Sequence, residues 1–184
     1  MKELLASKAE QFAKRVHAET GCTYDGEPFD KHLDSVHGVF LEFKPLLQEK
    51  WGHSFNYEEV VDRIECAIWL HDVMEDCRVS YHELVREFGD GVAEIVFALT
   101  NEIARTRSEM AKLTYPKIRS LGAEAIFVKL CDRISNTRAS VGHPDGYHAM
   151  YQKEFPTFKS FLMNQEWKEM WDELSVITFP KTQA

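Results

Sequence analysis

The sequence predicts an all-α protein, and three observations carry that expectation. Apolar residues recur at helical spacing along almost the whole chain. Alternating strand patterns and hairpin signals are absent, and helix start and stop signals divide the periodic stretches. The chain has 184 residues, 44% of them hydrophobic and 12% aromatic, enough to build one sizeable core. Residues 1–184 therefore read as a single-domain helical bundle.

The elements follow in order. Residues 3–18 place Leu4, Leu5, Ala9, Phe12, Ala13 and Val16 on one broad helical face. "TGCTYDGEPFD" holds two glycines and a proline and reads as an irregular loop. A second helix starts near Lys31 with Val36, Val39, Phe40 and Phe43 inward, and Pro45 is expected to kink or end it. "WGHSFN" connects it to an apolar helix over 57–72. "SYHE" at 80–83 has the pattern of a capping box, Gly89 closes that short helix, and "GVAEIVFALT" begins another. Residues 105–119 are polar and basic at helical spacing. "AEAIFVKLCDRISNTRAS" reads as a long buried helix, and 146–163 and 167–177 complete the set, with Trp167, Trp171 and Leu174 on one face.

Charge and composition narrow the function. The net charge of −8 argues against nucleic acid or an anionic membrane as a partner, and no apolar run is long enough for a bilayer. It leaves room for a small anionic ligand at a locally positive site. Cys22, Cys66, Cys77 and Cys131 show no CxxC spacing, and the N-terminal stretch lacks the apolar core of a signal peptide. Reduced thiols in a cytoplasmic protein are the expectation. A dimer surface along the aromatic C-terminal segment stays open.

The chemistry concentrates in "WLHDVMEDC", residues 69–77, where a helix that reads as buried carries one histidine and three carboxylates. Isolated charges are rarely buried without a partner. His71 and Asp72 point near the core, and Glu75 and Asp76 lie one turn above them if the helix continues. Four such groups on one side call for a cation. In "FVKLCDRISN", Lys129, Asp132 and Asn136 form a narrow polar stripe on an otherwise apolar helix, so Asp132 is a second half-site. His32, opening the second helix, is a third candidate. His17 reads as a cation favoured by a helix C-terminus, and His37 and His53 as surface or packing residues. Two imidazoles and two carboxylates suit Mn²⁺, Fe²⁺, Zn²⁺ or Co²⁺ better than Ca²⁺. Glu75 and Asp76 would be free to move protons on metal-bound water.

These residues resemble the HD superfamily of metal-dependent phosphohydrolases. "HDVMED" is similar to the HDxxED signature of the (p)ppGpp hydrolase domain of RelA/SpoT-type enzymes. "GEPFDKHLDSV" resembles the G-x-P-[YF]-x-x-H-x-x-x-V motif, and "VKLCDRISNTR" resembles V-K-L-A-D-[RK]-x-x-N-[LT]. The resemblance runs over roughly residues 5–165 and implies an HD-type helical bundle. It implies that His32, His71, Asp72 and Asp132 hold one divalent ion, usually Mn²⁺, with Glu75 and Asp76 as the acid–base pair. Asn136 would position the substrate's ribose or phosphates, and Lys129 and Arg133 would support the phosphate end or the metal-bound acid. With Lys112 from the basic stretch and Arg138, these cations could form a positive rim.

The implied activity is that of a stand-alone small alarmone hydrolase. It would cleave the 3′-pyrophosphate of ppGpp or pppGpp to GDP or GTP and pyrophosphate. Three departures stand out: Leu33 replaces a usual proline, Cys131 a usual alanine, and residues 18–30 contain no Arg or Lys where the family commonly carries an Arg-Lys pair. The last keeps open another nucleotide, such as a nucleoside monophosphate or a ribose-phosphorylated nucleotide. A non-catalytic nucleotide-binding HD module is a third reading, against which the full ligand set argues.

Overall fold

Helix α1 (Leu5–Thr20) buries the stripe its sequence announces, with Ala9, Phe12, Ala13 and Val16 inward. The computed structural model describes residues 5–180; Leu4 of the expected first helix lies outside them. A two-stranded hairpin follows, β1 (Thr23–Tyr24) paired antiparallel with β2 (Glu27–Pro28). The sequence reading expected an irregular loop here. The Asp25-Gly26 turn has both residues at positive φ, 51° and 77°, which is the backbone that a two-residue hairpin with right-handed twist requires. Strands of two residues leave no alternation to read, so the turn dipeptide was the lone signal.

Helices α2 (Asp30–Trp51), α3 (Tyr57–Leu70), α4 (Val73–Asp76), α5 (Tyr81–Phe88) and α6 (Asp90–Leu99) come next. They are followed by α7 (Arg107–Leu121), α8 (Ala123–Ser140), α9 (Tyr147–Leu162) and α10 (Lys168–Thr178), and the fold is all-α. Gly89 both ends α5 and opens α6 with φ 85°, a conformation a side chain would strain. The expected box at 80–83 is half formed: Ser80 Oγ accepts from the Glu83 amide. The complete box belongs to Thr106 and Glu109 at the start of α7, each accepting from the other's backbone amide.

Pro45 does not end α2, which continues to Trp51. Pro116 and Pro156 also lie inside their helices, and all three prolines are exposed. Water can satisfy the carbonyl that a proline leaves without a donor, so the helix survives on its solvent side.

The core forms around α8, which is apolar on nearly every side: Ala125, Ile126, Phe127, Val128, Leu130, Cys131 and Ile134 are all buried. It packs against α2, α3, α6, α7, α9 and α10. A bidentate ion pair from Arg63 on α3 to Glu124 (2.6 and 2.7 Å) fixes the start of α8. Trp167 sits edge-on to Phe127 and Trp51, with its indole N–H donating to the Ala123 carbonyl at 2.9 Å. Trp167, Trp171 and Leu174 are thus core residues. The four cysteines are free thiols. Among the described residues no helix is long and apolar enough to cross a membrane.

Candidate metal centre

Three parts of this core deliver the expected ligands to one point. His32 lies in the first turn of α2, and Asp132 lies in the middle of α8. One turn beyond each, the Ser35 and Ser135 hydroxyls meet at 2.8 Å and fix the register of the two helices. His71 and Asp72 come from the junction of α3 and α4. The sequence reading continued one helix through them; instead α3 stops at Leu70, His71 caps it, and Asp72 starts α4 with φ −105°. From this junction Asp72 Oδ2 faces both histidines.

The geometry is close. His32 Nε2 and His71 Nε2 lie 3.3 Å apart, and Asp132 Oδ1 is 3.9 Å from each. Donor atoms of His32, His71 and Asp132 all fall within 4.8 Å of one another, with all three residues buried. Asp72 Oδ2 lies 2.9 Å from His71 Nε2 and 3.6 Å from His32 Nε2. His71 donates its Nδ1–H to the Ile68 carbonyl at 2.8 Å, which leaves Nε2 with its lone pair turned inward. At 3.3 Å the two ring nitrogens call for a proton or a cation between them.

The electrostatics say the same. Burial disfavours a charged His71, yet Asp72 and Asp132 outweigh it and push the imidazole up to about 9. Burial would raise the Asp72 carboxyl, but His71 and His32 hold it well below the usual range. Burial likewise acts against Asp132, whose carboxyl is lowered by Lys129 and His71. A site that grips a proton this firmly is one of strongly negative potential. Mixed nitrogen and oxygen donors of this kind fit a divalent transition ion.

Around the trio, the other expected residues sort themselves. Lys129 Nζ bonds Asp132 Oδ2 at 2.8 Å, orienting the carboxylate so that Oδ1 faces the histidines. Asn136 donates to Asp132 Oδ1 and accepts from the Tyr24 hydroxyl. Tyr24 lies flat on the His32 ring, centroids 4.5 Å apart. Glu75 is held by both the backbone N–H (2.6 Å) and the side-chain amide (3.0 Å) of Asn101. Asp76 is less restrained, and burial together with the Asp72 and Glu75 charges pushes its carboxyl up to about 6. All these groups line one cleft of about 280 Å³.

Its opposite wall is basic. Arg133 is buried against the rings of Tyr151 and Phe158 and bonds Glu154 at 3.0 Å. Arg107 lines the same cleft and pairs with the same Glu154 at 2.6 Å, so two guanidinium groups share one carboxylate. Lys112 and Arg138 are not part of this wall. Lys112 lies beside Ile103, Ala104 and Arg105 on another face, and Arg138 is taken up by Glu42 and Glu173. One turn of helix decides which basic side chain faces inward, and the polar pattern of 105–119 did not mark it. Tyr24, Asn101, Arg107 and Tyr151 were missed for the same reason: Tyr24 lies in the two-residue strand β1, Asn101 in the loop after α6, and Arg107 and Tyr151 near the starts of α7 and α9, where no apolar stripe sets direction.

His17 differs from its expected role. It lies in the last turn of α1, but its side chain is fully buried, stacked on Phe29 at 4.2 Å. Burial lowers its pKa, so the ring is neutral rather than a dipole-stabilised cation. His37 packs on Trp69 and bonds Glu65 at 3.0 Å.

No family model matches the chain. It is similar to a guanosine-3′,5′-bis(diphosphate) 3′-pyrophosphohydrolase of Aquifex aeolicus, 30% identical over 135 residues, which cover 71% of this chain and 17% of that protein. It is also 30% identical over 96 residues to the guanosine-3′,5′-bis(diphosphate) 3′-pyrophosphohydrolase MESH1 of Danio rerio, 52% of this chain and 53% of that one. The chain thus spans about half, or far less, of the length of the curated relatives it matches. A solved structure described as a metazoan ortholog of SpoT that hydrolyzes ppGpp superposes over 95% of both chains, with a TM-score of 0.70 at 19% identity. The fold is shared with that protein, and the motif-level resemblance is met by relatives bearing the hydrolase name.

Proposed function

We propose that the chain is one HD-type unit that removes the 3′-pyrophosphate of guanosine 3′,5′-bis(diphosphate). The products are GDP, or GTP from pppGpp, and pyrophosphate. The observation that carries this reading is the buried His32–His71–Asp132 trio beside a cleft that His32 and Asp132 help to line, together with the carboxylates of Asp72, Glu75 and Asp76 and the guanidinium groups of Arg107 and Arg133, which share one Glu154. Relatives with that printed activity add support.

His32, His71, Asp72 and Asp132 would hold the divalent ion, Mn²⁺ in the first instance. Such an ion polarises a phosphoryl oxygen and makes bound water acidic enough to react near neutral pH. The chain supplies the rest. Lys129 keeps Asp132 turned toward the histidines. Asn101 fixes Glu75 at the rim. Asp76, with its carboxyl near neutrality, is suited to take the proton of the attacking water and return it to the leaving 3′-oxygen. Arg107 and Arg133, short of one counterion, bind the pyrophosphate oxygens. Tyr24 and Asn136 border the ribose side.

A second reading keeps the chemistry and changes the nucleotide, because the hairpin beside the cleft carries Asp25 and Glu27 and no basic residue. One experiment decides between them: turnover of ppGpp with added Mn²⁺, following GDP and pyrophosphate beside a panel of nucleoside mono- and polyphosphates. Cleavage of ppGpp to those two products supports the first reading. Turnover confined to another nucleotide supports the second. Bound metal without turnover of any would leave a binding module. Asp132→Ala should lose both metal and activity.

A further inference from the structure

His17 presents a problem that the ligand set does not solve. Its Nδ1 donates to the Ala13 carbonyl at 2.8 Å, which fixes the tautomer and leaves Nε2 an acceptor. That Nε2 is buried and has no hydrogen-bond partner among the described residues. A buried acceptor left without a donor costs about 1–3 kcal/mol, and native proteins seldom keep one without a use. The ring cannot turn away: it is stacked on Phe29, interplanar angle 6°, and Phe29 in turn packs edge-on against His32.

The group it faces is Asp76, whose Oδ2 lies 4.0 Å from Nε2. Direct hydrogen bonding does not reach that far. Both atoms are acceptors, so what joins them must donate twice. A water about 2.8 Å from each atom would subtend roughly a right angle at its oxygen, close to the angle between its own two O–H bonds.

We propose that His17 is a positioning residue for Asp76, its bare Nε2 accepting one hydrogen of a water whose other hydrogen goes to Asp76 Oδ2. The inference rests on the reading of Asp76 as the proton-transferring carboxylate. Asp76 lies at the end of the four-residue α4 with its side chain 38% exposed, where a carboxylate would otherwise sample several rotamers. The water bridge ties Oδ2 to the rigid α1–Phe29 wall and leaves Oδ1 to address the reacting water. His17 never touches the substrate; it sets the direction in which Asp76 points. Met, Leu or Phe at position 17 would fill the same space and lose this function, which is what separates the idea from simple packing.

Two measurements test it. In metal-free protein labelled with ¹⁵N-histidine, His17 should show a protonated Nδ1 and a bare Nε2 between pH 6.5 and 8.5. Its Nε2 resonance should move in Asp76→Ala. An imidazolium at pH 7, or a resonance indifferent to Asp76→Ala, overturns the proposal, and this result needs no substrate. Kinetically, His17→Phe retains the stacking and removes the acceptor. It should lower kcat about tenfold to a hundredfold with KM and metal content unchanged. His17→Gln, which carries an acceptor oxygen, should restore much of the loss. Wild-type kcat in His17→Phe refutes the idea, as does loss of metal from a folded variant. If the wild-type protein turns over no ppGpp, the functional reading fails, while the resonance experiment still decides the His17–Asp76 link.

Discussion

Replacing Asp76 by asparagine should stabilise the metal-free protein at pH 8. The Asp76 carboxyl is pushed from 3.8 to about 6 by burial and by the Asp72 and Glu75 charges. A raised carboxyl pKa means that the folded state disfavours the ionised form. Its share of stability is present in full below pH 3.8, declines as pH rises toward 6, and is gone above that. For a fully buried group the shift would be worth about 3 kcal/mol. The side chain is 38% exposed, so solvent screening reduces this to about 1 kcal/mol. Asparagine has the same shape and no charge. In a chelating buffer the variant should melt about 2–4 °C above wild type at pH 8. The difference should shrink through pH 6 to 4 and vanish below. Adding Mn²⁺ should reverse the order, because the ion supplies the positive charge that the carboxylate lacks. A variant that melts lower than wild type at pH 8 in chelator, or a gain that does not change between pH 4 and 8, would refute the reasoning.

Three further outcomes follow from the same geometry. Asn101→Ala removes the side-chain donor to Glu75 and leaves the backbone N–H in place; kcat should fall about threefold to tenfold with metal content retained, since Glu75 lies outside the trio. Arg107→Ala should raise KM by about tenfold or more through one lost charge-assisted phosphate contact, while Arg133 keeps Glu154 paired and the fold intact. Arg138→Ala and Lys112→Ala should leave KM unchanged, since neither side chain lines the cleft; a KM effect from either would mean that the wall has been misplaced.

How much of this was legible in the sequence depended on which residues an apolar stripe could orient. Asp132 was readable because Phe127, Leu130, Cys131 and Ile134 fix the inward side of α8, and an acid beside them had to be explained. The helix set was readable for the same reason. Asp72 was found, but not its geometry: no propensity distinguishes a helix that runs through "LHDVMED" from one that breaks between His71 and Asp72. Tertiary contacts made that choice. Arg107 and Lys112 sit in one basic run without an apolar frame, so Lys112 was singled out and Arg107 was not. His17 was misread as a helix-end cation because its burial comes from Phe29, a residue in the following loop. The hairpin announced itself only through Asp25-Gly26.

The charge of the cleft makes one last prediction, on the order of binding. Asp72, Glu75, Asp76, Asp132 and Glu154 bring five carboxylates to the neighbourhood of three cationic side chains, Arg107, Lys129 and Arg133. Lys129 is committed to Asp132, and Glu154 already draws on both arginines. The carboxylates exceed these cations by two; His71, pushed up to about 9, offsets one of them in the metal-free protein, and a divalent ion that displaces its proton cancels both. A substrate carrying several negative charges therefore enters a repulsive cleft when the ion is absent and a neutral one, with a basic wall, when it is present. Metal should bind first. Calorimetry with a non-hydrolysable ppGpp analogue should show no binding in chelator and clear binding once Mn²⁺ is added. By linkage, the analogue should tighten Mn²⁺ binding by the same factor. Raising the salt concentration should weaken the analogue in the loaded protein, where Arg107 is exposed to solvent. Equal affinity with and without the ion would mean that the arginines alone carry the anion, and that the carboxylates lie too far from the phosphates to oppose it.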